Sequence, residues 1–332
     1  MFYKRKIIAL CLIALLVLST FSGCSSAVKS SNDEEIEEEF TPYTSVNFID
    51  LGCGESIFIL FGDGKSMLVD CGKDKTDGDK VVEYLKKFKV EKLDYLVLTH
   101  PDSEHIGGVE TVIDQIKVEK VFHPNVKDRL LPLYPSYNTA ITKLSASGAE
   151  LNVSKCFKNF KGDNYTVLFL SPIDGENNSY LEFNSSKNPT EKQADNVSPI
   201  IYVDINGVRF LLTGDANAEQ EKAVEDNVKV SIYQMFLSNA GLSVNLDGID
   251  FLKVSKGGDK CATSADFANF IKAKNAVVFS GEGRYPENVV INNLTDANSE
   301  FDLWRTDVYG TVSVKIEDGG LYTVITEKEQ ND

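Results

Sequence analysis

The chain has 332 residues, 42% of them hydrophobic, enough for one large globular domain or two ordinary ones with a real core. It carries 34 basic and 50 acidic side chains, a net charge of −16. A field this acidic repels polyanions unless a local basic patch overrides it, so there is no strong electrostatic case for DNA binding. A small anionic substrate is not excluded.

The chain opens MFYKRKIIALCLIALLVLSTFSGC. Lys4, Arg5 and Lys6 precede an apolar run from Ile7 to Leu18, the length of a signal-peptide core and short for a membrane span. Phe21-Ser22-Gly23-Cys24 resembles the lipobox of a bacterial lipoprotein, with Phe21 where leucine is usual. The expectation is a lipoprotein signal over 1–23 and a lipid on Cys24, which would hold the protein to the extracellular face of the cell membrane. A plain secretion signal or an uncleaved anchor is the other reading. Without Lys4, Arg5 and Lys6 the balance is 31 basic against 50 acidic side chains, or −19. SSAVKSSNDEEIEEEF is too polar to order itself, so 24–42 reads as a flexible acidic tether and 43–328 as the folded domain.

From there strands and turns dominate. SVNFIDL, SIFILF and the end of FGDGKSMLVDCG read as strands, and 79–88 as a helix with Val81, Val82, Leu85 and Phe88 on one face. LDYLVLT is a buried strand, 108–118 the helix behind it, and VEKVFHP another strand. A helix over 137–148 and a strand over 165–170 follow. Polar residues 175–196 read as a long surface loop, and SPIIYVDINGVRFLLTGD as a hairpin turning at Asn206-Gly207. Then come a helix over 218–225, FLKVS, a helix over 265–271, AVVFSG, and a closing meander from LWRTDVYG to LYTVIT. Hairpins with interspersed helices suggest an α+β fold, two sheets covered by helices on their outer faces.

The chemistry concentrates in THPDSEHIGG, directly after a buried strand. His100, Asp102, Glu104 and His105 are imidazoles and carboxylates, the ligands that Zn²⁺ and Mn²⁺ accept. Residues 100, 102 and 104 project alike only if the chain stays extended, and Gly107-Gly108 then permits a sharp turn. A polar loop with satisfied histidines has the same composition.

NFIDLGCGESIFILFGDGKSMLVDCG, LDYLVLTHPDSEHIGG, FLLTGDA and FLKVSKGGDKCATS occur in the order seen in metallo-β-lactamase-fold hydrolases. They resemble most the branch typified by the extracellular domain of the DNA-uptake protein ComEC, over about residues 44 to 316. The resemblance implies an αββα sandwich with a metal site where strand-end loops converge, holding one or two Zn or Mn ions, or none if degenerate. It implies metal ligation by His100, Asp102, Glu104, His105 and Asp215. Glu104 stands where the family has aspartate, and Asp215 of TGD would bridge two ions. Asp70 of VDCG would orient ligands, as would Asn196 and Ser198 in the polar turn before the central strand.

The departures are sharper around Ser255-Lys256-Gly257-Gly258, where the branch has His-His-Gly-Ser. Lys256 takes the place of the ligand histidine and Gly257 the next, and a further family histidine is missing around Arg284-Tyr285-Pro286. Lys256 is expected either to supply an ammonium among Asp102, Glu104 and Asp215 in place of a lost metal, or to face solvent. Cys53, Cys71 and Cys261 are candidate replacement ligands, with a Cys53–Cys71 disulfide also considered. His123, the third histidine, reads as an ordinary surface or core residue.

Two functions follow. One is a metallo-hydrolase of nucleic-acid or small phosphodiester substrates, with Asp102, Glu104, Asp215 and Lys256 as candidate catalytic groups. The other is a catalytically degenerate domain binding a ligand or partner at the cell surface. Oligomeric state is not legible.

Overall fold

Strands that are apolar along their whole length, instead of alternating with polar residues, must be covered on both faces. The computed structural model shows this, describing residues 42–126, 135–173, 179–186 and 189–328. The signal over 1–23, Cys24 and the tether up to residue 41 lie outside the described residues. The chain lays down β1 (Ser45–Phe48), β2 (Ile57–Leu60), β3 (Ser66–Val69), β4 (Lys92–Val97), β5 (Lys117–His123) and β6 (Glu150–Val153). It continues with β7 (Asn159–Lys161), β8 (Tyr165–Phe169), β9 (Ile201–Ile205), β10 (Val208–Leu212), β11 (Phe251–Lys253), β12 (Asn275–Val278) and β13 (Asp302–Arg305). It then returns through β14 (Val312–Ile316) and β15 (Tyr322–Thr326).

These form one sheet in the order β15-β14-β1-β2-β3-β4-β5-β6 and another in the order β13-β12-β11-β10-β9-β8-β7. In β2, Ile57 and Ile59 point into the layer between the sheets, where Phe210 and Leu212 of β10 also pack. Phe58 and Leu60 point the other way, against Val81, Val82 and Leu85 of α1 (Lys75–Lys87). Leu211 and Leu252 on the far side of the second sheet meet Val224 of α7 (Ala218–Val228) and Phe267 of α9 (Ala265–Ile271). The period of two thus sorts each strand between two apolar layers. Full burial of each large side chain contributes roughly 1.5–3 kcal/mol.

The helices of the first sheet are α1, α2 (Ser103–Ile106), α3 (Val109–Gln115) and α4 (Pro135–Ala146). The stretch read as a long surface loop instead contains α5 (Ser179–Ser185) and α6 (Glu191–Asp195). A capping box between Thr190 and Gln193 starts α6, and Tyr180 and Phe183 bury one side of α5. Also unread in the sequence were α8 (Ser231–Asn239) and α10 (Asn288–Ala297). The closing meander is corrected too. After β13, which pairs in parallel with β12, the chain passes through α11 (Thr306–Tyr309) and crosses to the other sheet, where β14 and β15 form a hairpin.

Parallel pairing decides where chemistry can sit. β3, β4, β5 and β6 run parallel in the first sheet, as do β10, β11, β12 and β13 in the second. The loops leaving β3, β4, β10 and β11 carry Asp70, His100, Asp215 and the residues after Lys253.

Candidate metal centre

His105 is oriented by a residue of a neighbouring loop, and His100 by its own chain neighbour. Asp70, at φ 60°, follows β3, and its Oδ1 accepts the Thr99 backbone N–H at 2.8 Å. Its Oδ2 accepts the Thr99 hydroxyl at 2.6 Å and lies 2.7 Å from His105 Nδ1. That contact places the His105 proton on Nδ1 and turns Nε2 inward, 3.4 Å from Asp215 Oδ2. His100 Nδ1 lies 3.2 Å from the Thr99 hydroxyl, and its Nε2 is 3.9 Å from Asp215 Oδ2. Ser198 Oγ accepts the Asp215 backbone N–H at 3.3 Å, fixing the strand end that presents the carboxylate.

His100, His105 and Asp215 offer ligand atoms within 4.8 Å of one another, all buried. His100 Nε2, His105 Nε2 and Asp215 Oδ1 are buried without a hydrogen-bond partner. Unsatisfied buried polar atoms cost about 1–3 kcal/mol each, so a convergent set of them is a place built for something else. A divalent cation fits: two imidazole nitrogens and a carboxylate are a usual donor set for one.

The surrounding field favours positive charge. Burial pulls the His105 imidazole down, but Asp215, Asp70 and Glu55 outweigh it and hold the pKa well above the ordinary value. Burial, and then the charge of His105, lower His100 to about 4. Burial raises Asp215, yet His105 and Lys253 outweigh it and hold this carboxyl well below its ordinary value.

The other expected residues are placed differently. Asp102 caps α2, its Oδ1 accepting the Glu104 N–H at 3.0 Å. The chain therefore turns helical at Ser103 instead of staying extended, and Glu104 reaches the guanidinium of Arg284. Gly107 and Gly108 have negative φ, so they do not serve a left-handed turn. They serve close approach: a Cβ at Gly107 would lie 1.7 Å from the Lys73 carbonyl oxygen, and at Gly108 2.2 Å from that of Cys71. Asn196 donates its amide N–H to Glu219 at 3.3 Å.

Lys256 makes its ion pairs elsewhere than expected. Its ammonium lies 2.6 Å from Asp195 and 2.7 Å from Glu191, while Asp195 is itself 4.0 Å from His100 Nε2. Burial pushes the Asp195 carboxyl up to about 7, with Lys256 opposing and Asp215 reinforcing the shift. The ammonium beside Asp215 belongs to Lys253. That side chain is 1% exposed, 2.5 Å from Glu55 Oε2 and 3.6 Å from Asp215 Oδ1, and it donates to the Gly214 carbonyl at 2.6 Å. Burial lowers the Lys253 pKa, but Glu55 and Asp215 outweigh it, so the net shift is upward.

Glu55 and Lys253 went unread in the sequence, although a signal was there. Glu55 shares the parity of Ile57, and Lys253 that of Phe251, and both apolar residues face the inter-sheet layer. Among the described residues Cys53, Cys71 and Cys261 form no disulfide: Cys71 is buried, Cys261 is exposed, and Cys53 lies 3.3 Å from Glu282, while Cys156 is buried beside Tyr233. His123 is engaged with Tyr137 at 2.9 Å, outside the cluster.

Two mixed sheets with helices outside, and a His-His-Asp cluster at the strand ends, define a metallo-β-lactamase fold. The sequence profile of the metallo-beta-lactamase superfamily matches residues 51–282, and the chain belongs to that family. It is 24% identical over 310 residues to ComE operon protein 3 of Bacillus subtilis, covering 86% of this chain and 35% of that protein. It is 24% identical over 280 residues to Recombination protein 2 of Haemophilus influenzae, covering 82% of this chain and 29% of that one. The chain thus spans about a third of the curated relatives it matches. The metallo-beta-lactamase fold protein YhfI of Bacillus subtilis superposes with a TM-score of 0.42 at 13% identity, covering 85% of this chain and all (100%) of that one. No helix among the described residues is long and apolar enough to cross a membrane.

Proposed function

We propose that this protein is a metal-dependent hydrolase of phosphodiester bonds, held outside the bacterial cell membrane by a lipid on Cys24. The observation that carries the reading is the convergence of His100 Nε2, His105 Nε2 and Asp215 Oδ1, buried and without a hydrogen-bond partner. These three residues would hold a Zn²⁺ or Mn²⁺ ion, which when bound would supply Lewis acidity toward a phosphoryl oxygen and acidify water. Asp70 and Thr99 hold the imidazoles in the tautomer that points Nε2 inward. Arg284, a quarter exposed and 4.0 Å from Asp215, is the group on the solvent side suited to an anionic phosphoryl oxygen. The net charge of −16 favours a small phosphodiester or a short single strand over a long duplex. The resemblance to ComEC-type proteins supports the nucleic-acid end of that range.

A second reading, a binding domain without turnover, is favoured by one observation: Glu104 is engaged by Arg284 and not turned to the cluster. Elemental analysis of the purified protein, paired with turnover of bis-p-nitrophenyl phosphate and of a short single-stranded oligonucleotide in Mn²⁺ and Zn²⁺, separates the two. Bound metal with turnover that is lost in His100→Ala is the result expected of a hydrolase. Bound metal without turnover supports the binding domain, and no bound metal sinks the hydrolase.

A further inference from the structure

The departures from the family pattern at Glu104, Gly257 and Arg284 meet at one place. The Arg284 guanidinium joins Glu104 through Nη1, and its Nη2 lies 4.0 Å from Asp215 Oδ2. Glu104 and Arg284 are 30% and 25% exposed while Asp215 is 4% exposed, so the pair lies on the solvent side of the cluster. Gly257 makes room for it. At φ 57°, Gly257 lies against the arginine stem, and a Cβ there would meet Arg284 Cδ and Nε at 3.0 Å. A histidine at 257 would displace the stem by which Arg284 reaches Glu104.

We propose that Arg284 is a built-in replacement for a second metal ion, so that this centre takes a single divalent cation on His100, His105 and Asp215. The proposal rests on the metal-binding reading above and specifies its stoichiometry. Charge supports it. Glu55, Asp70, Glu104 and Asp215 bring four negative charges, and Lys253 and Arg284, each in an ion pair within this group, return two. Asp195 is matched by Lys256, and Asp102 is turned to its helix cap. Carboxylates therefore outnumber cations around His100 and His105, as a site for a cation requires. A second ion would have to displace the guanidinium from Glu104, or sit beside it against direct repulsion. A guanidinium also differs from a metal in what it offers: a fixed fork of N–H donors for a phosphoryl oxygen, with no open coordination position.

The test is metal stoichiometry, read by elemental analysis and by calorimetric titration of the full chain with Zn²⁺ and Mn²⁺. The unmodified protein should take one equivalent. Arg284→His, which removes the cation and adds a donor beside Glu104, should take two, and Arg284→Lys, which keeps the charge, should stay at one. Circular dichroism and a thermal melt show whether each variant is folded. Should Arg284→His fail to fold, the comparison moves to Glu104→Gln, which should still take one equivalent because Glu104 belongs to the arginine and not to the ion. Two equivalents in the unmodified protein, or a stoichiometry that depends on Glu104, overturn the proposal and leave the hydrolase reading standing. Zero equivalents overturn both.

Discussion

Asp70 Oδ2 lies 2.7 Å from His105 Nδ1, and the same oxygen accepts the Thr99 hydroxyl at 2.6 Å. One carboxylate therefore sets the imidazole tautomer and ties the end of β4 to the end of β3. Asp70→Asn keeps the left-handed backbone that asparagine tolerates but loses the charged acceptor. Its divalent-metal affinity should drop about 10–100-fold, measured by competition with a chelating dye. Unchanged affinity would mean that His105 needs no such partner.

Lys253 and Glu55 are paired at 2.5 Å in the inter-sheet layer, 1% and 4% exposed. Lys253→Met leaves Glu55 and Asp215 without their buried ammonium, and should cost about 3–5 kcal/mol in a urea melt. The double variant with Glu55→Gln removes one of the stranded charges and should recover part of that loss. If the single variant is as stable as the parent, the pair is not structural.

Gly107 is fixed by space alone. The Cβ of Gly107→Ala would fall 1.7 Å from a backbone carbonyl oxygen of the β3–α1 loop. Backbone cannot yield as a flexible side chain can, so the expected loss exceeds about 3 kcal/mol. A thermal melt within a degree or two of the parent would contradict this packing.

Glu221 gives a pH signature away from the metal residues. It is buried in α7, and its carboxylate accepts the backbone N–H groups of Thr263 and Ser264 at 2.6 and 3.1 Å, ahead of α9. Burial outweighs those donors and pushes its pKa up to about 7, against an ordinary 4.5. Below pH 4.5 it is protonated in both folded and unfolded chains and contributes no slope. Between there and 7 the unfolded chain releases its proton first, so stability falls as pH rises, by up to roughly 3 kcal/mol, and levels off above 7. Urea midpoints of the parent and of Glu221→Gln, taken from pH 5 to 8, should converge or cross as this term is lost. Parallel curves would show that Glu221 ionises normally.

Much of the architecture was legible because burial on two faces leaves a mark in one dimension. IFIL is apolar throughout and VRFLL at every position but Arg209, and Asn206-Gly207, at φ 53° and 85°, makes the turn its dipeptide promised. The two helices inside residues 179–195 were hidden by polar composition, since a single capping box and two buried aromatics are faint against so much solvent-facing sequence.

The sequence by itself determined the family, the strand-end position of THPDSEHIGG, and a donor set able to hold a divalent ion. It could not determine which cation meets which carboxylate. Lys256 is nearest to the motif pattern, yet its backbone adopts φ 51° and its ammonium pairs with Asp195 and Glu191. Lys253 and Arg284, 38 and 69 residues beyond Asp215 along the chain, are the cations that face it. Side-chain periodicity sends Lys253 between the sheets, and the absence of a side chain at Gly257 leaves room for Arg284. Charge pairing across a fold depends on where distant loops converge, and only the packed sheets fix that.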